Sequence, residues 1–255
     1  MEDNSKASEV LSEEIPQMSF AQRLTGIFFE PGKTFADINK KPSWLGIFLL
    51  MSVFTLALSY VSATRIDPEV AIRKALEASP FQLSEEQKEQ AIQQGVARQQ
   101  NPLYRYGTPL IAPVFVLILY AIMAGVFLLI FVLMGAPPTY KKAYAVTMWG
   151  LSPPGIIQQI LGIVLLYIKD PNTIDIAQGI VMSNLGGLVD SKAHPVLGSL
   201  LSSIDLFSFW SIILLAIGFA AISAKKLTMK KAAVGIVIVW ALYVLGKMGF
   251  RAIFS

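Results

Sequence analysis

Long uncharged stretches dominate the pattern of hydrophobic and polar positions along this chain. The longest runs from Leu110 to Met134 and holds 25 residues without a charge. A helix needs about 20 mostly apolar residues to cross a bilayer, and at ~1.5 Å per residue this stretch reaches roughly 37 Å. The pattern therefore predicts a transmembrane helix that crosses with some tilt.

Four further stretches have the length and composition of membrane spans. Aromatic residues such as Trp44 and Tyr60 lie near their ends, where amphipathic rings favour the interface. The chain is thus predicted to be an all-α, polytopic membrane protein with five transmembrane helices. The predicted spans are residues 44–63, 110–134, 143–168, 205–224 and 232–254.

Lysines are concentrated on one side of these predicted spans. Short cytoplasmic connections carry an excess of Lys and Arg, so we expect the N-terminus in the cytoplasm and the C-terminus outside. The four-lysine turn between the last two spans is also expected to attract anionic lipid, at roughly 1 kcal/mol per residue. The lysines on this side are Lys33, Lys40, Lys41, Lys141, Lys142 and, in the turn, Lys225, Lys226, Lys230 and Lys231.

Two polar regions precede and follow the first span. Residues 1–18 are interpreted as a disordered tail, and residues 19–43 as a cytoplasmic amphipathic segment that begins with a capping box at Ser19. Two interpretations of this segment stay open: it lies in the headgroup region, or it packs on the protein's own spans. A helical hairpin outside the membrane is predicted for residues 64–108.

Local signals place the two helices of this external hairpin. Asp67 followed by Pro68 predicts one helix start, and Ser84 with Gln87 three residues later predicts a second. The charges of the hairpin are most simply a solvated face. A lid or a partner-docking element is the alternative.

The third predicted span contains helix-breaking residues near its middle. Prolines remove backbone donors and clash with the preceding turn, so we expect a kink or local unwinding. Such a break either lines a site, as in transporters, or is healed by neighbouring helices. The residues of this predicted broken-helix site are Pro153, Pro154, Gly155, Gln158 and Gln159.

Charged residues at the predicted outer ends of the last two spans suggest an interhelical ion pair. Asp205 opens the fourth span, and Lys247 and Arg251 share a helical face late in the fifth. A short turn makes these spans antiparallel neighbours, so Asp205 is expected to meet Lys247 or Arg251. The alternative is three independent charges hydrated by headgroup water.

Composition narrows the function classes. The chain has 255 residues, of which 54% are hydrophobic and 15% charged, against about 25% charged in soluble domains. Its net charge of +4 is explained by lysines beside apolar runs and does not indicate nucleic-acid binding. Without cysteine there is no disulfide or thiolate nucleophile, and the single histidine, His194, is no basis for a metal site. No catalytic, metal or cofactor-binding residue and no cofactor is predicted.

Three stretches together resemble bacterial members of the Yip (Ypt-interacting protein, Yip-one domain) family of five-span membrane proteins. They are FAQRLTGIFFEPGKTFADINKKPSW before the first span, WGLSPPGII in the third and SIDLFSFWSIILLAIGFAAIS in the fourth. The resemblance covers about residues 19–254 and implies five spans with a cytoplasmic N-terminus, here in the bacterial inner membrane. Eukaryotic relatives associate with Rab-type GTPases, but this chain lacks their long cytoplasmic region, so no GTPase partner is carried over.

Three function classes follow from these patterns. A non-enzymatic scaffold or adaptor, partnered by other membrane proteins or by a second copy, is favoured by the absence of a catalytic constellation. A transporter or channel for a small solute or lipid is the alternative, favoured by the Pro-Pro-Gly sequence and the two glutamines. An intramembrane enzyme has the least support, because no paired carboxylates or Ser/His/Asp set lies at membrane depth.

Overall fold

A computed structural model describes residues 17–79, 81, 83–174, 179–191, 193–223 and 226–254, and residues 1–16 of the predicted tail lie outside them. The described residues form α-helices joined by loops, short 3₁₀ turns and one isolated β-bridge, which confirms the predicted all-α class. The α-helices are α1 Phe20–Phe29, α2 Pro31–Lys40, α3 Leu45–Arg65, α4 Pro68–Glu77, α5 Glu85–Gln100, α6 Pro102–Gly107, α7 Ala112–Leu133, α8 Tyr140–Ile168, α9 Pro195–Leu201, α10 Leu206–Ile222 and α11 Met229–Phe254.

Side-chain caps fix several helix starts at the positions that the sequence predicts. The capping box of Ser19 opens α1 and that of Ser84 opens α5. Asp67 accepts hydrogen bonds from the amides of Glu69 and Val70 at the start of α4. Each cap satisfies backbone donors that have no partner within the helix.

Among the described residues, four helical stretches are long and apolar enough to cross a membrane, which supports a membrane protein. They are Leu45–Arg65, Pro102–Leu133, Tyr140–Ile168 and Met229–Phe254. The predicted fourth span is shorter than expected: α10 has 17 residues, or roughly 25 Å against a hydrocarbon core of about 30 Å. Its first turn is set by Asp205, and residue 224 of the predicted span lies outside the described residues.

Helix α8 is the centre of the bundle. Every residue from Ala143 to Gly150 is buried, and Trp149 is 1% exposed. The helix packs against α3, α7, α10 and α2. Because its first half is enclosed by helices, it carries small and aromatic residues where a lipid-facing helix carries Leu and Ile.

Hydrogen bonds along α3 and α8 show that these helices run side by side in the same direction. The Trp149 indole donates to the carbonyl of Ser43 at 2.9 Å, and Gln159 donates to Thr55 at 3.0 Å. Near the other end, Arg65 Nε donates to the carbonyl of Leu166 at 3.2 Å.

The two ends of the bundle therefore carry different elements. Helices α1 and α2 lie at the end where α3 and α8 begin. At the opposite end, α4 packs against α5, and the side chain of Ile72 lies so close to Gly95 that a Cβ there would be 2.4 Å from it. Arg251 of α11 donates to the carbonyl of Ala78 at 3.1 Å, which ties the end of α11 to this hairpin.

Candidate functional site

A buried ion pair joins the two helices of the N-terminal hairpin α1–α2. Arg23 Nε lies 2.7 Å from Asp37 Oδ2, and the two side chains are 5% and 11% exposed. Pro31 is the first residue of α2, directly after the Glu30 turn, and reverses the chain so that Arg23 and Asp37 face each other. The second carboxylate oxygen accepts from the amide of Met18 at 3.2 Å. The pair therefore fixes α1, α2 and the segment before α1 as one unit.

The hairpin is docked on the bundle by polar and apolar contacts. Arg23 Nη1 donates to the Ser43 hydroxyl at 2.5 Å, just before α3. The Asn39 amide donates to the carbonyl of Ala221 at 3.1 Å, at the end of α10. Phe35 and Ile38 of α2 are fully buried. Of the two interpretations of this segment, these contacts favour packing on the protein's own spans.

The docking of α2 depends on a close approach at Gly218 of α10. A Cβ at this position would lie 2.5 Å from Val146 of α8 and 2.9 Å from the Phe35 ring. Only a glycine leaves room for both neighbours, so Gly218 sets the distance between α10, α8 and the hairpin.

A cavity of about 130 Å³ lies between the hairpin and the first turn of α3. Its wall combines cationic and hydroxyl groups with aromatic rings. Arg23 is 4% exposed, whereas Lys41 at the rim is exposed. The lining residues are Gln17, Met18, Phe20, Arg23, Lys41, Ser43, Gly46 and Trp149.

The predicted broken-helix residues lie in a helix that is not interrupted. Helix α8 continues through Pro153 and Pro154, both of which are buried, so local unwinding is not seen. Gly155 lies against Met51 of α3, where a Cβ would be 3.1 Å from its methyl group. Close packing by neighbouring helices thus holds α8 together across the missing backbone donors.

The two glutamines that follow the prolines differ in their surroundings. Gln159 bonds Thr55 through its Nε2, while its buried Oε1 has no partner among the described residues. Gln158 is half-buried, and none of the described contacts joins it to the prolines.

The structure does not bring Asp205, Lys247 and Arg251 together as an ion pair. Asp205 caps α10 through the amide of Ser208 at 2.9 Å and accepts from the Ser183 hydroxyl. Lys247 donates to the Ser202 hydroxyl at 2.7 Å. Arg251 bonds a carbonyl of the α4 end instead. The expected pairing fails because the short α10 begins with Asp205 engaged in its own cap, and serines lie next to Lys247.

The predicted lipid-attracting lysines are exposed where the structure describes them. Lys226, Lys230 and Lys231 have exposed side chains, and Lys225 lies outside the described residues.

At the other end of the bundle, the hydrogen bond from Lys88 lowers the pKa of Glu85, because it stabilises the carboxylate.

The Arg23–Asp37 pair is the feature that sequence reasoning missed. A signal for it exists: Arg23 lies on the apolar face that Phe20, Leu24 and Ile27 form, and Asp37 follows the Pro31 reversal among apolar residues. Two opposite charges on the inner faces of a helical hairpin indicate a buried pair, since neither would be buried alone.

Comparisons with known proteins give one match. The family model described as the Yip1 domain matches residues 25–249, which is most of the chain. No curated protein and no solved structure matches it. Within the described residues, no group of three or more His, Asp or Glu side chains is arranged to hold a metal ion.

Proposed function

The chain belongs to the Yip1 domain family of membrane proteins, and from this membership we propose that it is a non-enzymatic scaffold or adaptor that organises other membrane components. Its partners are other membrane proteins or a second copy of itself. We place it in the bacterial inner membrane as a multi-pass protein, with α1–α2 on the cytoplasmic side and α4–α5 outside.

Five crossings are proposed for this topology, with α10 as the short fourth. The contact of Asn39 with Ala221 brings the end of α10 to the hairpin side of the bundle. Helix α11 starts on that side and reaches the α4 end with Arg251. The start of α10 and the end of α11 therefore lie on the side opposite the α1–α2 hairpin. This arrangement supports one crossing by α10 and one by α11. The lysines before α3, those in the first turn of α8 and those around the start of α11 are then all cytoplasmic.

The observation that carries the adaptor proposal is the fixed docking of the α1–α2 hairpin. A loosely attached amphipathic helix can rotate at the membrane surface, so the face that it exposes to a partner is not fixed. Here the buried Arg23–Asp37 pair and the Asn39 bond hold one orientation. The hairpin therefore offers a constant exposed face beside the membrane, which includes Gln22 and Thr25 of α1 with Phe29 between them. Recognition of a partner favours such a preformed surface, because little ordering entropy is lost on binding.

Site-specific photo-crosslinking in native membranes tests this proposal. A photoactivatable residue at Thr25 should give one reproducible protein adduct, either another membrane protein or a dimer of the chain. The same residue at Gln93, on exposed α5, is the matched control and should not give that adduct. Asp37→Ala should reduce the Thr25 adduct, because the hairpin loses its fixed orientation. Lipid adducts alone from Thr25 would contradict the adaptor proposal.

Transport of a small solute or lipid is the second candidate. The Oε1 of Gln159 favours it, since this buried amide oxygen has no partner among the described residues and is available to a ligand. Flux into proteoliposomes that Gln159→Leu abolishes, while the protein keeps its thermal stability, would favour transport over the adaptor. Absence of flux for a broad set of solutes, together with a protein adduct at Thr25, favours the adaptor.

A further inference from the structure

The cavity between the hairpin and α3 has the chemistry of an anion site. Two cationic side chains, Arg23 and Lys41, and the Ser43 hydroxyl line it, and none of the described lining residues carries a carboxylate. Arg23 uses Nε for Asp37 and Nη1 for Ser43. No acceptor for its Nη2 occurs among the described residues, so a strong donor of this buried guanidinium is left for a ligand.

The first turn of α3 adds backbone donors to the same cavity. Trp44 occupies the N-cap position, and its side chain makes no capping bond. The first intrahelical bond runs from the amide of Phe48 to the carbonyl of Trp44 at 3.0 Å. The amides of Leu45, Gly46 and Ile47 precede it, and Gly46 lines the cavity. Uncapped amides at the positive end of a helix dipole attract a phosphate group.

An exposed apolar stripe begins directly at this cavity and runs along α3. At 100° per residue, Gly46, Leu49, Val53 and Tyr60 lie within about 60° of one another on the helix surface. Leu49 is 54% exposed, and Val53 and Tyr60 are each 60% exposed. In a bilayer this stripe faces hydrocarbon, so a polar cavity at one end of it continues into a track for an acyl chain.

We propose that this cavity binds the phosphate group of one anionic phospholipid, with an acyl chain lying along the Leu49–Val53–Tyr60 stripe of α3. Asp37 already balances the charge of Arg23, so Lys41 and the α3 terminus supply the net attraction. The headgroup is anionic because the charged side chains among the described lining residues are Arg23 and Lys41, which attract a phosphate and do not hold a choline or an ethanolamine. The stripe selects a phospholipid over free phosphate. This inference goes beyond the adaptor proposal and does not depend on it.

Native mass spectrometry of the detergent-purified protein tests the site with dioleoyl phosphatidylglycerol as the probe. One lipid per chain should bind with higher affinity than the rest. Lys41→Gln should weaken this first binding event about fivefold, the effect of one lysine near an anionic surface. Lys40→Gln is the matched control: it removes the same charge one residue earlier, outside the cavity lining, and should weaken the first binding event less than Lys41→Gln does.

Three comparisons separate the outcomes. Dihexanoyl phosphatidylglycerol has the same headgroup with short chains and should bind more weakly, and dioleoyl phosphatidylcholine should also bind more weakly. Inorganic phosphate that displaces the long-chain lipid at equal concentration would overturn the phospholipid assignment. Equal losses for Lys41→Gln and Lys40→Gln would overturn the site, because they would indicate general surface attraction. Lys41 is exposed, so both variants should keep the thermal midpoint of the parent, and a normal fold with unchanged affinity in Lys41→Gln also refutes the proposal.

Discussion

Removal of Asp37 should open the α1–α2 hairpin, because Arg23 then stays buried without its counter-ion. The pair is 5% and 11% exposed, with an Nε–Oδ2 distance of 2.7 Å. Breaking a buried pair from one side costs about 3–5 kcal/mol. At 1.4 kcal/mol per factor of ten, Asp37→Ala should raise the open fraction of the hairpin by about two to four orders of magnitude.

Thiol labelling measures this opening directly. The chain has no cysteine, and Thr34 of α2 is fully buried, so a Thr34→Cys variant carries one reporter thiol inside the hairpin. When the hairpin recloses faster than a maleimide reacts, the labelling rate follows the open fraction. The rate should therefore increase with Asp37→Ala in the range calculated above.

The exposed pair of Glu30 with Lys33 provides the control on the same hairpin. Its side chains are 52% and 74% exposed, and such surface pairs contribute up to about 1 kcal/mol. Glu30→Ala should change the labelling rate by no more than about fivefold. Adding Arg23→Met to Asp37→Ala should recover part of the protection, since no unpaired charge remains. Equal labelling rates in Asp37→Ala and Glu30→Ala would refute the buried-pair reasoning.

Three further predictions concern the bundle. Gly218→Ala should lower the thermal midpoint in detergent, at a cost of about 1–3 kcal/mol, because its Cβ would lie 2.5 Å from a valine methyl of α8. Thr55→Val should destabilise the protein by about 1–3 kcal/mol, because the Gln159 amide then loses its acceptor. Gln159→Leu should cost less, because it also removes the buried Oε1, which has no partner among the described residues. The stability losses of Asp205→Ala and Lys247→Met should add within about 0.5 kcal/mol in the double variant, since each residue has other partners. A larger coupling energy would indicate the ion pair that the sequence suggests.

Local signals in the sequence predict most of the helices. Caps such as Ser19, Asp67 and Ser84 act within one turn, so they are readable without knowing the fold. Long apolar runs also identify their helices, because an apolar stretch of this length is seldom anything other than a transmembrane helix. Helices α7 and α11 begin and end within three residues of the predicted bounds. The family follows from the same stretches and is confirmed by the match over residues 25–249.

Tertiary contacts account for what the sequence did not predict. Helix α8 continues through its prolines because α3 and other helices enclose it. The local sequence pattern does not show which helices will pack around α8. Asp205 is engaged by its own helix start and by Ser183, so it is not available to Lys247. The Arg23–Asp37 pair forms only when α1 folds back on α2, and the reversal at Pro31 does not by itself determine which side chains meet.

One labelling comparison measures directly how many times the chain crosses the membrane. In the cysteine-free chain, Thr25→Cys places a thiol on exposed α1 and Ala252→Cys places one on the exposed end of α11. Five crossings predict that a membrane-impermeant maleimide labels Ala252→Cys on intact cells, and Thr25→Cys only after the cells are permeabilised. If α10 does not cross and four spans remain, both thiols lie on the same side. Protection of Ala252→Cys on intact cells, in parallel with Thr25→Cys, would contradict the five-span topology.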